Sequence, residues 1–159
     1  MARTAKKIKT SPISLSVDIT KLFDAQMKVE MLKNGIKVSY RQLLRSLSQK
    51  DGVTQLDLVR LSKLKAPTIS TTLRNMEAEG LVRRETDKGD ARATRVFITE
   101  KGREADKKMR NLNARIEKAS LSGLNAAEGE QLTKLLGKMK ENMEKTSGIT
   151  VDYEENYEE

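Results

Sequence analysis

The sequence predicts a mainly α-helical protein that carries one short β-hairpin. Apolar residues recur at helical spacing over most of the chain, in segments separated by glycines or by polar capping residues. Between residues 81 and 98, apolar and charged residues alternate on both sides of a glycine-containing tip. This hairpin follows two short, tightly connected helices. The order of elements predicts a winged helix-turn-helix with a two-stranded β-wing, flanked by N- and C-terminal helices that form a dimerisation region.

The first long helix is predicted to run from Pro12 to about Asn34. Ser11 followed by proline is typical of an N-cap and a first helical position, and Gly35 supplies a C-terminal stop. The apolar residues of this helix are Leu15, Val17, Ile19, Leu22, Phe23, Met27, Val29 and Leu32. They offer more apolar surface than one peripheral helix needs, so we expect a subunit interface here.

Two short helices are predicted next. Ser39 and Gln42 have the spacing of a capping box, and Thr54 with Asp57 forms a second one. The residues expected to face inward are Leu43, Leu44 and Leu47 in the first helix and Leu56, Val59 and Leu61 in the second.

The following helix is predicted to begin near Ala66, with Pro67 in its first turn, and to end at Gly80. Its apolar residues share one face at spacings of four and three, and they are Ile69, Leu73 and Met76. Its other face is expected to carry Thr68, Ser70, Thr71, Thr72, Arg74 and Asn75. Short hydroxyl groups and one cation suit the major groove of DNA.

The hairpin strands are predicted at Leu81–Glu85 and Thr94–Ile98, around the tip KGDARA. Lys88, Arg92 and Arg95 lie in or beside this tip. Cations at such a position can contact phosphates that border a groove.

Two long helices are predicted after Thr99. The first carries a heptad-like seam of Ala105, Met109, Leu112, Ile116 and Ala119. The second has Asn125 and Glu128 as its cap and carries Leu132, Leu135, Leu136, Met139 and Met143. The predicted organisation is a disordered basic arm (1–10), an N-terminal dimerisation helix (11–38), a DNA-binding domain (39–99), C-terminal dimerisation helices (100–146) and an acidic flexible tail (147–159).

Composition restricts the class of protein. Aromatic residues make up only 3% of the chain, so the core rests on Leu, Ile, Val and Met, and so modest a core favours dimerisation. The sequence contains no Cys and no His, which excludes thiol chemistry, disulfides and zinc sites built on these residues. We therefore expect no cofactor, no metal and no enzymatic activity. The lack of a long apolar run predicts a soluble cytoplasmic protein without a membrane partner.

The charge distribution points to a polyanionic partner. The net charge is +8, and residues 1–110 contain 25 Lys and Arg against 13 Asp and Glu, a net charge of +12. The remaining residues carry a net charge of −4. A basic front half favours nucleic acid, although a merely well-solvated surface would also account for the charge alone.

Over roughly residues 11–145 the sequence resembles the MarR family of transcription regulators. The most specific part is the wing GDARATRVFIT, which fits the pattern D-x-R followed by a Leu- or Ile-Thr pair, here Asp90, Arg92, Ile98 and Thr99. The neighbouring segments EGLVRRETD and TEKGRE also resemble the family. The resemblance implies a two-fold homodimer that binds palindromic double-stranded DNA, more often as a repressor, with recognition helices in major grooves and wings in minor grooves.

The resemblance also implies roles for individual residues. Arg92 would enter the minor groove, and Asp90 would orient its guanidinium. The full set of implied DNA-binding residues is Pro67, Thr68, Ser70, Thr71 and Arg74 on the recognition helix and Lys88, Asp90, Arg92 and Arg95 on the wing. Thr54 and Gln55 would bind phosphate at a helix N-terminus. Many relatives carry an arginine where this chain has Thr71 and Thr72, so base reading would be weak or biased toward A·T pairs.

Sensing through Cys or His, as in some relatives, is closed to this chain. A small aromatic or phenolic effector, bound between the dimer helices and the winged domain, is the remaining route. Residues that would line such a pocket are Phe23, Met27, Tyr40 and Arg41, although core packing explains the first three equally well. Regulation without an effector is the alternative. A winged-helix module that binds protein instead of DNA is the main competing function, and its cue would be an apolar outer face on the recognition helix.

Overall fold

The computed structural model describes residues 10–62, 64–87, 89–90 and 92–151. The elements are α1 (Pro12–Lys33), a 3-10 turn (Val38–Tyr40), α2 (Arg41–Gln49), β1 (Val53–Thr54), α3 (Gln55–Ser62), α4 (Ala66–Ala78), β2 (Val82–Thr86), β3 (Thr94–Ile98), α5 (Glu100–Ser120) and α6 (Ala126–Ser147). The chain forms two compact units, the first ending at Glu117 and the second beginning at Lys118. Within the described residues, no helix has both the length and the apolarity that crossing a bilayer requires. The predicted basic arm, apart from Thr10, and residues 152–159 of the predicted tail lie outside the described residues.

Helix α1 begins as its sequence predicts. The backbone N–H of Ser14 donates to Ser11 Oγ at 3.1 Å, the backbone N–H of Ser11 donates to Ser14 Oγ at 3.0 Å, and Pro12 is the first helical residue. Only Met27 and Met31 of this helix are buried. Its exposed large apolar residues are Ile13, Leu15, Val17, Ile19, Leu22, Val29 and Leu32. The stripe therefore contributes little to the core of its own chain.

The predicted Ser39–Gln42 capping box is wrong. Ser39 lies in the 3-10 turn, and α2 begins at Arg41 without a side-chain cap among the described residues. Tyr40 is buried in the core and directly precedes the first residue of α2. The predicted inward residues Leu43, Leu44 and Leu47 are all buried.

Helix α3 confirms its predicted cap but not its predicted inner face. The backbone N–H of Asp57 donates to Thr54 Oγ1 at 3.1 Å, and the backbone N–H of Thr54 donates to Asp57 Oδ2 at 3.2 Å. A helix that starts there turns Leu58 and Ser62 inward, one turn apart. Leu56 and Leu61, predicted to face inward, are instead 60% and 40% exposed, and Val59 is half-buried.

The β-sheet has three antiparallel strands in the order β1-β3-β2, one more than the sequence predicts. Strand β1 is only two residues long and pairs Val53 with Val96 of β3. The hairpin pairs Val82 of β2 with Ile98 of β3. One face of the sheet, including Val82, Val96 and Ile98, is buried in the core. The extra strand fastens the wing to the loop that precedes α3.

The seam predicted on α5 for a partner helix is largely used inside the first unit. Met109, Leu112 and Ile116 are buried in the same apolar cluster as the helix-turn-helix residues, and Ala105 packs against it. Ala119 is exposed. Helix α5 therefore completes the core of the winged domain.

Helix α6 has the predicted cap, since the Asn125 side chain accepts the Glu128 N–H at 3.0 Å and the Glu128 carboxylate accepts the Asn125 N–H at 2.9 Å. In contrast to α5, it buries none of its residues against the described part of the chain. Its exposed large apolar side chains are Leu132, Leu135, Leu136 and Met143.

Candidate nucleic-acid interface

Helix α4 is anchored from its inner face and from its C-terminal end. Ile69, Leu73 and Met76 are fully buried, as their spacing predicts. At its end, Gly80 adopts a φ of 71°, a left-handed conformation that favours glycine. The N–H of Gly80 then donates to Glu77 O at 2.9 Å and that of Leu81 to Met76 O at 2.8 Å, which together make a Schellman motif.

The outer face of α4 is polar but smaller than its sequence predicts. The exposed residues are Pro67, Thr68, Thr71, Arg74 and Asn75, and Ser70 is half-buried. Thr72, expected on the same face, is only 6% exposed. It lies three residues after Ile69 and four before Met76, so helical geometry turns it toward the core. Of the two threonines, only Thr71 is available to a ligand.

The arginines of the winged domain form two groups. Arg84 pairs with Glu77, Arg103 with Asp51 and Arg95 with Asp87. Arg74 on α4 and Arg92 at the wing tip are exposed, and neither has a carboxylate partner among the residues that the structure describes. Two unpaired guanidinium groups therefore remain available for an external anion.

The wing tip is shaped by Asp90. The Asp90 Oδ1 atom accepts the backbone N–H of Arg92 at 2.9 Å, and the Asp90 carbonyl accepts the N–H of Ala93 at 2.9 Å. Among the described contacts, this carboxylate binds the main chain of Arg92, and its expected role toward the guanidinium stays a prediction. Asp90 thus fixes the main chain from which the Arg92 side chain extends. Lys88, the other expected cation of the tip, lies outside the described residues.

At the base of the wing, Asp87 and Arg95 connect the hairpin to the loop before β1. Asp87 Oδ1 accepts the backbone N–H groups of Gly89 at 2.7 Å and Asp90 at 3.0 Å, and its other oxygen pairs with Arg95 Nε. Arg95 Nη1 donates to the carbonyl of Gly52 at 2.8 Å. The Gly89 N–H, followed by Arg95 and the Asp90 N–H, lowers the pKa of the Asp87 carboxyl. Arg95, expected as a DNA contact, is thus engaged within the chain.

Asp51 makes a second connection that the sequence analysis missed. Its Oδ1 atom accepts the N–H of Ile98 at 2.9 Å and its Oδ2 atom accepts from Arg103 Nη2 at 2.7 Å. The loop before β1 is thereby fixed to β3 and to α5. The only local signal was the turn-forming pair Asp51-Gly52, which does not reveal such distant partners.

Thr99, the last residue of the wing motif, closes the hairpin onto α4 and α5. Its Oγ1 atom accepts the N–H of Gly102 at 3.1 Å and donates to the carbonyl of Gly80 at 2.7 Å. A Cβ atom on Gly102 would lie 2.2 Å from the carbonyl oxygen of Leu81. The Thr-x-x-Gly spacing therefore permits a close approach between α5 and the end of α4.

The start of α3, expected to bind phosphate, already holds a carboxylate. The Thr54 hydroxyl donates to Asp57 Oδ2 at 2.7 Å. This bond, and next the backbone N–H of Thr54, lowers the pKa of the Asp57 carboxyl. The negative charge of Asp57 offsets part of the positive potential at the N-terminus of α3. Gln55 is half-buried at the same place.

The four residues expected to line an effector pocket are mostly packed. Met27 and Tyr40 are buried, and Phe23 packs against the core. The Tyr40 hydroxyl donates to Glu79 Oε1 at 2.8 Å, and Lys37 Nζ lies 2.5 Å from the same oxygen. Burial, followed by this bond to Glu79, raises the pKa of Tyr40. Arg41 lies 3.7 Å from Asp24 Oδ1 at the domain surface.

Known proteins are similar to this chain in sequence and in fold. The chain is 29% identical over 109 residues to the HTH-type transcriptional regulator YdgJ of Bacillus subtilis (strain 168), itself uncharacterized. That match covers 69% of this chain and 66% of the relative, just under two thirds of its length. A MarR-family transcriptional regulator from Silicibacter pomeroyi is 27% identical, with a TM-score of 0.61 over 82% of this chain and 88% of that one. A Staphylococcus aureus MepR variant bound to an oligodeoxyribonucleotide is 25% identical, with a TM-score of 0.65 over 85% and 99%.

The hairpin that follows α3 and α4, together with the polar outer face of α4, defines a winged helix-turn-helix protein, as the sequence predicts. A family model described as the MarR family matches residues 34–93, from the end of α1 to the wing tip. Over its winged domain and in its fold, the chain is similar to transcription regulators of the MarR family. The matched proteins are named as regulators and not as enzymes.

Proposed function

We propose that this chain is a sequence-specific transcription regulator that binds double-stranded DNA as a homodimer, usually as a repressor and without enzymatic activity. The observation that carries the proposal is the pairing of an exposed polar face on α4 with the unpaired Arg92 at the wing tip of the same compact unit. The DNA-bound MepR variant, 25% identical, supports it.

Helix α4 would enter the major groove. Thr68, Thr71 and Arg74 offer hydroxyls, methyl groups and one guanidinium to base edges, and Pro67 and Ser70 lie beside them. Because Thr72 is buried, Thr71 alone would stand where many relatives place an arginine. A threonine methyl suits the thymine methyl group, so we expect a preference for A·T pairs in the half-site.

The wing would enter the flanking minor groove. A narrow minor groove concentrates negative potential, which favours an inserted guanidinium without much sequence reading. Arg92 is the described residue best placed for this role, and Lys88 would contact phosphate beside it. Asp90 would contribute by holding the main chain at Arg92. Thr54 and Gln55 remain weaker candidates for phosphate, since the Thr54 hydroxyl is already bonded to Asp57.

A second copy of the chain would cover the exposed apolar residues of α1 and α6. Burying apolar surface contributes about 25 cal/mol per Å², and each helix exposes several large apolar side chains. The dimerisation region would thus be segments 11–38 and 100–146 around the DNA-binding segment 39–99. Within the later segment α6 supplies most of the surface, because the α5 seam is already buried. Two-fold symmetry would match a palindromic operator.

We place this regulator in the cytoplasm, where it would meet the DNA that it controls. Release by a small aromatic or phenolic effector near Phe23, Met27, Tyr40 and Arg41 is a subsidiary proposal. It is supported by the bond between Tyr40 and Glu79, the residue that ends α4, because a change at Tyr40 would reach the recognition helix.

Selection of bound sites from a random DNA library tests the proposal. We expect a palindrome whose half-sites lie about one helical turn apart. Affinity for that site should fall steeply with salt, with a log–log slope of about −7 for roughly 8 phosphate contacts. A library without enriched sites, or a flat salt dependence, would instead favour a protein-binding winged-helix module.

A further inference from the structure

Two carboxylates stand in the part of the wing that should approach DNA. Asp87 lies two residues before Gly89, and Asp90 lies two residues before Arg92. A negative charge close to phosphates weakens binding through Coulomb repulsion. Asp90 is explained by its bond to the Arg92 N–H. Asp87 makes no contact with Arg92 among the described residues, so its presence needs a separate explanation.

Both carboxylate oxygens of Asp87 accept hydrogen bonds from within the domain. Its side chain is only 11% exposed. One carboxylate oxygen accepts two backbone N–H groups from the tip, those of Gly89 and Asp90, and the other pairs with Arg95. A bond to an ionised acceptor is about twice as strong as a neutral one. The carboxylate therefore holds both the tip loop and an arginine of β3.

Arg95 extends this arrangement to a fixed point outside the hairpin. Its Nη1 atom donates to the Gly52 carbonyl at 2.8 Å. Gly52 adopts a φ of 66° and lies against the Phe97 ring, which a Cβ atom at this position would approach to 2.7 Å. The neighbouring Asp51 is bonded to Ile98 and Arg103. The carbonyl that Arg95 binds thus belongs to the helix-turn-helix side of the domain.

The contacts form a continuous path from this anchor to the DNA-facing arginine. Gly52 binds Arg95, Arg95 binds Asp87, Asp87 binds the Asp90 N–H, and Asp90 binds the Arg92 N–H. Each step is a hydrogen bond, and two of the steps involve a carboxylate accepting a backbone N–H.

We propose that Asp87 and Arg95 are positioning residues, which hold the wing tip against the Gly52 carbonyl so that Arg92 is preorganised for the minor groove. This inference rests on the proposed DNA-binding function. It changes the role of Arg95 from a DNA contact to an internal support. Holding the tip in place before binding avoids the entropy loss of ordering it at the moment of binding.

Asp87→Asn separates positioning from electrostatics because the two effects have opposite signs. Removing a negative charge near DNA should strengthen binding if Asp87 only adds charge. If it positions the tip, loss of the ion pair should weaken binding to the selected operator about tenfold. Glu85→Gln is the matched control, since it makes the same charge change on β2, where Glu85 pairs with Arg83. The control should bind unchanged or more tightly.

Arg95→Gln and the double variant complete a double-mutant cycle. If the pair acts as one support, the double variant should bind about as weakly as either single variant, and the salt slope should stay at its wild-type value. If Arg95 contacts phosphate directly, its removal should instead lower the slope by about 0.9. Additive losses with a lowered slope, or tighter binding by Asp87→Asn, would overturn the inference.

A measurement without DNA separates failure of this inference from failure of the proposed function. Amide hydrogen exchange in the free protein reports the order of the tip at Gly89, Asp90 and Arg92. We expect faster exchange there in Asp87→Ala, with the exchange of α4 unchanged and with Glu85→Gln like the wild type. Equal exchange in Asp87→Ala and the wild type would refute the support, even if the protein binds DNA well. Absence of DNA binding with a loosened tip would refute only the proposed function.

Discussion

The tip and the base of the hairpin both carry arginines, but their surroundings differ. At the tip, Arg92 is exposed and meets no carboxylate in the described part of the chain. At the base, Arg84 pairs with Glu77 of α4 and Arg95 pairs with Asp87, which directly follows β2. On the adjoining α5, Arg103 pairs with Asp51. The comparison teaches that net charge overstates the surface available to DNA, because paired arginines build the wing and unpaired ones remain for binding.

The largest expected effect lies at the base. Gly102→Ala would place a Cβ atom 2.2 Å from the carbonyl oxygen of Leu81, a backbone atom that cannot move alone. We expect it to destabilise the fold by about 3 kcal/mol, in the range of severe overpacking. Chemical denaturation monitored by circular dichroism measures this loss.

Gly137→Ala in α6 is the control for that prediction. An added Cβ there meets no described atom within 4 Å outside its own helix turn, so we expect stabilisation of roughly 0.5–1 kcal/mol. Similar effects of the two substitutions would mean that α5 does not approach the α4–β2 turn so closely.

The next effect lies at the tip. Arg92→Ala should weaken operator binding by about 1–3 kcal/mol and leave the thermal midpoint unchanged, because no described carboxylate loses a partner. Fluorescence anisotropy with the selected operator measures the affinity. Arg115→Ala is a control with the same charge change. Arg115 lies on α5, away from the wing tip in the sequence, and it pairs with Glu30 of α1. An equal loss in the control would show that Arg92 acts only through net charge.

A smaller effect should distinguish the two adjacent threonines of α4. Thr71→Ala should leave stability nearly unchanged and alter the preferred base pair by about 1 kcal/mol. Thr72→Ala removes a buried methyl group and its hydroxyl, and it should reduce stability by about 1 kcal/mol while leaving the selected sequence unchanged. Site selection and thermal melts with both variants show which substitution changes the preferred base pair and which one changes stability. A changed site preference in Thr72→Ala would contradict the inward orientation.

The smallest effect concerns pH at the wing base. The pKa of Asp87 is lowered, first by the Gly89 N–H and then by Arg95. This carboxylate stabilises the folded wing at pH values above its pKa in the unfolded chain, which is about 3.9. The stabilisation is lost as the pH falls through the lower pKa of the folded state. The Gly89 amide chemical shift should therefore titrate below pH ~3.9 in the wild type and closer to that value in Arg95→Gln. Identical titration midpoints in the two proteins would show that Arg95 does not lower the pKa of Asp87.

The sequence predicted what is determined locally. The caps at Ser11, Thr54 and Asn125 and the helix stop at Gly80 depend on residues within a few positions, and the structure confirms them. The polar face of α4 was also visible from its spacing. The roles of these residues toward DNA stay predictions.

What the sequence could not supply depends on distant partners. Arg95 reaches Gly52 across 43 positions and Arg103 reaches Asp51 across 52. The two-residue strand β1 has no pattern of its own and exists because β3 lies beside it. The burial of the α5 seam likewise reflects the core that it meets, since its heptad-like spacing would serve a partner helix equally well.

The contact between Gly102 and Leu81 also has a mechanical consequence. With so little space between them, the first turn of α5 cannot slide past the segment that joins α4 to β2. The hydroxyl of Thr99 and the ammonium of Lys101 bind the carbonyls of Gly80 and Glu79 in the same place. A displacement that starts in α5 would therefore also move the end of α4 and the start of β2. The close packing therefore couples the position of the first turn of α5 to that of the segment joining α4 to β2.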